Sequence, residues 1–285
     1  MLTPFTKFHD LQERYQHDGF LVLPNKLPPK QLSSLKAEIN RYVENYEPSI
    51  RSSVFRTDTR DKDRDEDFLA SAYKVHGFLE SKAYDEQGQL TVPKTQCLNK
   101  LGHALHDHLP AFNELAKESL IKEAFQIAGH QASNLVQTMV IFKQPQIGGK
   151  VRWHQDASYL ITQPSSVVGL WIALEDATKD NGCLWMAPGQ HQSPLRELYT
   201  VDWQSRQGYL EDINETPWPS PEQEIAIEVE AGTMVIFHDH MPHRSAPNQS
   251  DKSRVAVTLH AYDTQSAWPT HNWLHRQGLQ PFILS

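Results

Sequence analysis

The sequence predicts a mainly β protein with flanking helices, its core a sandwich or barrel. Three observations carry this. From Asn134 onward, short β-branched runs recur between Pro, Gly, Asn and Asp. Before residue 134, apolar residues fall at helical spacing. No internal repeat interrupts either pattern. At 285 residues the chain can bury a sizeable core. We expect a single domain, 1–285, made of a helical part (1–133) and a β part (134–285).

The elements follow in order. In KFHDLQERYQHDGF, Phe8, Leu11 and Tyr15 form an amphipathic stripe that Gly19 ends, and FLVLP reads as a short strand. Pro28-Pro29 precede a helix carrying Leu32, Leu35, Ile39 and Val43. The stretch 51–67, RSSVFRTDTRDKDRDED, is dense in charge and reads as a solvated loop or a mobile lid over a site. HALHDHLPAFNELAKESLIKEAFQIAG is expected to be helical, with Leu115, Leu120 and Phe125 available to a core. LVQTMVIFKQ, VVGLWIAL, CLWMAP, EIAIEVE, GTMVIFH and RVAVTLHAY read as strands, and Asn181-Gly182 as a turn between two of them.

Composition narrows the function. Apolar content of 39% and charged content of 22% describe an ordinary globular chain. No apolar run is long enough to span a bilayer, and the N-terminus does not read as a secretory signal. Two cysteines, Cys97 and Cys183, are too few for a disulfide framework and fit a reducing compartment, so the cytoplasm is expected. A net charge of −8 argues against nucleic acid as the main partner.

The chemistry centres on His154-Gln155-Asp156. With 15 histidines and 17 aspartates in the chain, chance supplies about one His-x-Asp pair, so the surroundings must decide. In an extended segment, residues two apart share a face, and one imidazole and one carboxylate then reach one metal. A further histidine completes the two-His, one-carboxylate set of non-haem Fe(II) oxygen chemistry. The candidates are His238, His240 and His243. The same three could form a zinc site without Asp156, which would make a zinc hydrolase, or they could merely cap a strand end. Arg254 opens the next strand, 11 residues past His243. A strand–turn–strand hairpin would bring it near a metal held by His243, where it suits the far carboxylate of 2-oxoglutarate; a surface ion pair is the bland reading. By residue type alone, Lys100 is a surface lysine and Met139, Trp171 and Cys183 are core. Trp153 could wall the site or simply pack.

The order HxD, then DNGCLWMAPGQH, then HRSAPNQSDKSR resembles the phytanoyl-CoA dioxygenase family. So do CLNKLGHALH, MVIFKQPQIGGKVRWHQDASYL, WIALEDATKDNGCLWMAPGQH and NWL, over nearly the whole chain from Phe8 to Phe282. The resemblance implies a double-stranded β-helix, or jelly roll, using Fe(II), 2-oxoglutarate and O2. It implies iron ligands at His154, Asp156 and His243. It implies that Arg254 and Ser245 hold the far carboxylate of 2-oxoglutarate, and that Lys100, Met139 and Trp171 line the co-substrate pocket. His238 and His240 match no ligand. The expected reaction hydroxylates a small molecule, acyl or acyl-CoA compounds among the candidates, releasing succinate and CO2. Asp156 leaves no room for the halide that related halogenases accommodate. The charged loop shows no clear phosphate patch for a CoA group. A metal-bound β-helix acting only as a binding module is the non-enzymatic alternative.

Overall fold

The computed structural model describes residues 8–48, 54–55 and 66–284. Helix α1 (Phe8–Asp18) buries Leu11 and Tyr15 and leaves Phe8 exposed. Gly19 stops it with a left-handed φ of +80°, its N–H closing on the Tyr15 carbonyl at 2.8 Å. Strand β1 (Phe20–Leu23) follows, then α2 (Pro29–Asn45), which buries Leu35, Ile39 and Val43. Of the charged stretch 51–67, only the backbones of β2 (Val54–Phe55) and of the start of α3 (Glu66–Ala70) are described. The expected lid otherwise lies outside the described residues.

Strands β3 (Val75–Glu80) and β4 (Leu98–His103) come next. Every residue of β4 is buried, polar ones included, so no alternation announces it. The long helix expected from His103 is instead three: α4 (Leu105–His108), α5 (Pro110–Ala116) and α6 (Ser119–Ile127). Pro110 has no amide hydrogen and disfavours helix before it, leaving Leu109 extended at φ −113° and ψ 120°. Glu118, at φ −65° and ψ 140°, makes the second break.

The remaining strands are β5 (Ser133–Lys143), β6 (Val151–His154), β7 (Val168–Ala173), β8 (Leu184–Met186), β9 (Glu197–Asp202), β10 (Gln207–Asp212), β11 (Ile225–Ile227), β12 (Met234–His238), β13 (His243–Ser245), β14 (Arg254–Asp263) and β15 (Phe282–Leu284). They build a large sheet in the order β1-β12-β7-β14-β5-β4-β3-β2, with β15 also on β5. A smaller sheet runs β11-β8-β13-β6, and β9 and β10 form a ribbon. Among the strands described, every pairing but β2 with β3 is antiparallel. The architecture is a jelly roll with helices packed on its larger sheet.

Strand β14 shows how the layers are divided. Val257 and Leu259 join the core under the helices, with Leu35, Ile39, Leu115 and Phe125. Ala256 joins the core between the sheets, with Trp171, Leu184, Met186 and Phe237. Alternate residues serve opposite faces, so Arg254, Thr258 and His260 go with Ala256 toward the smaller sheet. Directly opposite residues share a face, which adds Lys143, Ile141, Met139 and Gln137 from β5. It adds Trp171 and Gly169 from β7 as well.

Candidate active site

The two sheets meet around His154. It ends β6, Gln155 stays extended (φ −120°, ψ 135°), and Asp156 opens a 3-10 turn. His154 and Asp156 therefore keep the common face their spacing requires. Gln155 points away and fastens the segment. Its Nε2 donates to the His240 carbonyl at 2.9 Å, and its Oε1 accepts from the Arg196 amide at 3.1 Å. The Ala157 amide donates to the Asp239 carbonyl at 3.0 Å. His243 starts β13 directly opposite His154, their ring centroids 4.1 Å apart.

Backbone carbonyls set both imidazoles. His154 Nδ1 lies 3.0 Å from the Arg152 carbonyl, and His243 Nδ1 lies 2.9 Å from the Met241 carbonyl. A carbonyl oxygen only accepts, so each Nδ1 carries a hydrogen and Nε2 is the nitrogen each ring presents to the site. Both Nε2 atoms lie 3.7 Å from the same Asp156 Oδ1. The other oxygen, Oδ2, accepts from His260 Nε2 at 3.0 Å. Potential ligand atoms of His154, Asp156 and His243 all fall within 4.8 Å of one another. Removal from bulk water pushes the His154 imidazolium down to about 3, with His243 adding to the effect, so the ring is a neutral donor. Burial works to raise the Asp156 carboxyl, but His260 and then His243 outweigh it and keep the group ionised. Two imidazoles and one carboxylate, converging from one side, suit Fe(II) with positions left open.

His238 and His240 do not join this set. Among the described residues, the only other group of three potential ligands is the exposed His9, Asp10 and Glu13. His238 Nδ1 instead accepts from the His240 amide at 3.1 Å and lies 2.8 Å from Asp239 Oδ1. The His238–His240 segment is a buttress for the HxD turn, and a three-histidine zinc centre does not form.

A cavity of 190 Å³ opens beside the triad. Lys100, Met139, His154 and Asp156 line it, as do Lys143, Gln137, His260 and Arg152. Lys100 is only 4% exposed, against the expectation for a lysine, and its Nζ lies 4.6 Å from the Phe78 ring centre. Phe68, Tyr159, Leu160 and Trp273 form an apolar rim, with the Phe68 and Trp273 rings 4.3 Å apart. Trp171, Ser245 and Arg254 are buried outside that lining. Trp171 sits opposite Thr258 on the inner face, and Ser245 lies two residues beyond His243 on β13. Cys183 is a buried free thiol, and Trp153 packs its ring 5.4 Å from the Arg244 guanidinium carbon.

Arg254 does open β14, but no hairpin carries it there. β13 pairs with β6 and β8 in one sheet, and β14 with β5 and β7 in the other. The connection crosses between layers, pinned by Asn248, whose Nδ2 donates to the Lys143 and Lys252 carbonyls at 2.9 and 2.8 Å. Arg254 is 1% exposed. Its Nε donates to the Gly182 carbonyl at 3.2 Å, its guanidinium carbon lies 5.7 Å from the Trp171 ring centre, and its Nη1 has no hydrogen-bond partner. Burial lowers it only to about 10, so it remains a cation at neutral pH. A buried guanidinium with an idle donor suits an incoming carboxylate.

Sequence reasoning missed His260, Lys143 and the Arg152–Glu197 pair. Arg152 Nη1 contacts the two oxygens of buried Glu197 at 2.9 and 2.8 Å. The signal for His260 was its even spacing from Arg254 along β14, which places both on one face.

A jelly roll with this His–Asp–His wall, backed by a buried arginine, defines an Fe(II)- and 2-oxoglutarate-dependent dioxygenase. Comparison with known proteins gives the narrower assignment. The sequence model of the family described as phytanoyl-CoA dioxygenase (PhyH) matches residues 15–256, and the chain belongs to this family. A phytanoyl-CoA dioxygenase domain-containing protein 1 homolog of Caenorhabditis briggsae is 37% identical, over 93% of this chain and 94% of that protein. A phytanoyl-CoA dioxygenase of Arabidopsis thaliana is 35% identical, over 94% and 93%. Among solved structures, the non-heme alpha ketoglutarate dependent carbocyclase SnoK superposes with a TM-score of 0.68 at 19% identity, covering 98% of this chain and 92% of that one. The epimerase SnoN, in complex with Fe3+, alpha ketoglutarate and nogalamycin RO, gives 0.64 at 17%, covering 96% and 93%. Both support the fold. No helix among the described residues is long and apolar enough to cross a membrane.

Proposed function

We propose that the chain is a single oxygenase domain in which His154, Asp156 and His243 hold Fe(II) and Arg254 receives the far carboxylate of 2-oxoglutarate, for the hydroxylation of a small molecule with release of succinate and CO2. The carrying observation is the convergence of two imidazole Nε2 atoms and one carboxylate oxygen beside a cavity, with a buried guanidinium nearby. Bound iron would supply open positions for the keto acid and O2, and with them the oxidising power of the reaction.

The chain's own residues supply order. The Arg152 and Met241 carbonyls fix the tautomers, and His260 fixes the carboxylate. Ser245 assists Arg254, while Lys100, Met139 and Trp171 shape the co-substrate space. The rim of Phe68, Tyr159, Leu160 and Trp273 excludes water and offers an apolar approach to substrate. That rim supports an acyl or similarly apolar group, and acyl-CoA compounds belong among the first substrates to screen. Two buried free thiols support residence in a reducing compartment such as the cytoplasm.

The test uses no prime substrate. Oxygen-free protein receives Fe(II) and 2-oxoglutarate and is examined for the weak visible charge-transfer band of a chelated keto acid. The band is expected in wild type and lost or weakened in His243→Ala and Arg254→Ala. Its absence from a folded, iron-loaded wild type would overturn the assignment.

A further inference from the structure

Lys143 is a buried amine that the assignment above does not use. It is 1% exposed and lines the cavity, whereas Arg254 does not. The two are direct cross-strand partners, so their side chains share the inner face of the large sheet. Among the described residues neither forms an ion pair within 4.0 Å. Glu80 acts on Lys143 and Glu175 on Arg254 only from beyond that distance, so a carboxylate brought between the two would be their nearest counter-charge.

The donor count agrees. An ammonium has three N–H bonds. Lys143 Nζ donates one to the Gly149 carbonyl and one to the Ala246 carbonyl, the latter at 2.9 Å, which leaves one. Arg254 likewise keeps an idle Nη1. Gly182 brings the two together. Its carbonyl takes Arg254 Nε, and a Cβ placed on it would stand 2.8 Å from the Ala246 oxygen and 3.3 Å from Lys143 Cε. Its φ of +89° also favours glycine.

We infer that Lys143 is a second cation for the far carboxylate of 2-oxoglutarate, taking one oxygen with its third N–H while Arg254 takes the other. This rests on the proposed function. Lys143 then belongs to the selection of the co-substrate: it rewards a keto acid with a distal carboxylate and penalises one without. Burial and the neighbouring Arg254 hold the Lys143 amine well below the usual lysine range, against a partial offset from Glu80, and a bound carboxylate favours the ammonium form with its third N–H.

The experiment is anaerobic calorimetric titration of the Fe(II)-loaded protein with 2-oxoglutarate and with 2-oxobutyrate, which keeps the keto-acid end but lacks the far carboxylate. The proteins are wild type, Lys143→Met, Lys143→Gln and Arg254→Met. Lys143→Gln keeps two donors for the Gly149 and Ala246 carbonyls without the charge, and serves if the methionine variant does not fold. Loss of a charge-assisted hydrogen bond predicts weakening of about tenfold or more toward 2-oxoglutarate in the Lys143 variants. Binding of 2-oxobutyrate should be nearly unchanged. If Arg254→Met weakens 2-oxoglutarate binding and the folded Lys143 variants do not, the inference fails alone. Equal losses for both keto acids would reduce Lys143 to a structural residue and also overturn it. If Arg254→Met changes nothing, the proposed function itself falls.

Discussion

His260→Leu tests whether the carboxylate of the triad is positioned from behind. In wild type, His260 Nε2 donates to Asp156 Oδ2 at 3.0 Å, in a place where His260 is only 3% exposed. Its other nitrogen, Nδ1, is buried without a partner. Leucine therefore removes one orphaned atom but leaves Asp156 Oδ2 without its donor. A hydrogen bond to a charged acceptor contributes about 1.5–3 kcal/mol. At 1.4 kcal/mol per factor of ten that is about 10- to 100-fold, the range seen when groups that orient metal ligands are removed. The assay is competition for Mn(II) or Fe(II) against a chelator of known affinity, with circular dichroism to confirm the fold. His260→Gln, which can still offer an N–H, should recover part of the loss. Wild-type metal affinity in a folded His260→Leu protein would show that Asp156 needs no support from β14, and the reasoning would be wrong.

The remaining predictions concern the triad, the crowding at Gly182 and the buried histidines. Asp156→Ala should abolish succinate formation from 2-oxoglutarate, read by direct product assay; wild-type turnover would remove Asp156 from the mechanism. Gly182→Ala should destabilise by at least ~1–2 kcal/mol, because alanine pays for the left-handed φ and meets the Ala246 carbonyl; a thermal melt equal to wild type would refute this. Burial lowers the pKa of both His106 and His130, so they are neutral when folded and bind protons more readily when unfolded. Their contribution is complete above the ordinary histidine value and is lost as pH falls below it. The melting temperature should therefore drop between about pH 7 and pH 5, and replacing both by glutamine should flatten that slope.

Much of this was legible in the residues, for reasons that can be named. Leu35, Ile39 and Val43 revealed α2 because a helix with one buried face must repeat near 3.6. The HxD face was readable because two-residue spacing survives even though the strand stops at His154. Strand β4 was hidden because its polar residues, Asn99, Lys100 and His103, are buried against the cavity and broke the apolar signature. Lys100 looked like a surface residue for the same reason. The hairpin expected between His243 and Arg254 failed because residue spacing does not report which sheet a strand joins. His260 and Lys143 were missed because their significance lies in cross-strand neighbours, and pairing register is a property of the assembled sheet.

Strand β14 has a consequence for how such a protein can change. Its alternate residues belong to two different jobs, Val257 and Leu259 in the helix-covered core, Arg254 and His260 around the reaction space. A one-residue slip would exchange the two sets, putting a guanidinium into oil and an aliphatic chain beside His154, Asp156 and His243. The strand cannot lose its chemistry and keep its fold by sliding. The rim residues Phe68, Tyr159, Leu160 and Trp273 are under no such bond, since they come from a short helix and loops outside the sheet. Substitutions there can reshape the apolar side of the cavity while β14 stays fixed, so a new substrate shape is reached through side chains that no sheet register holds.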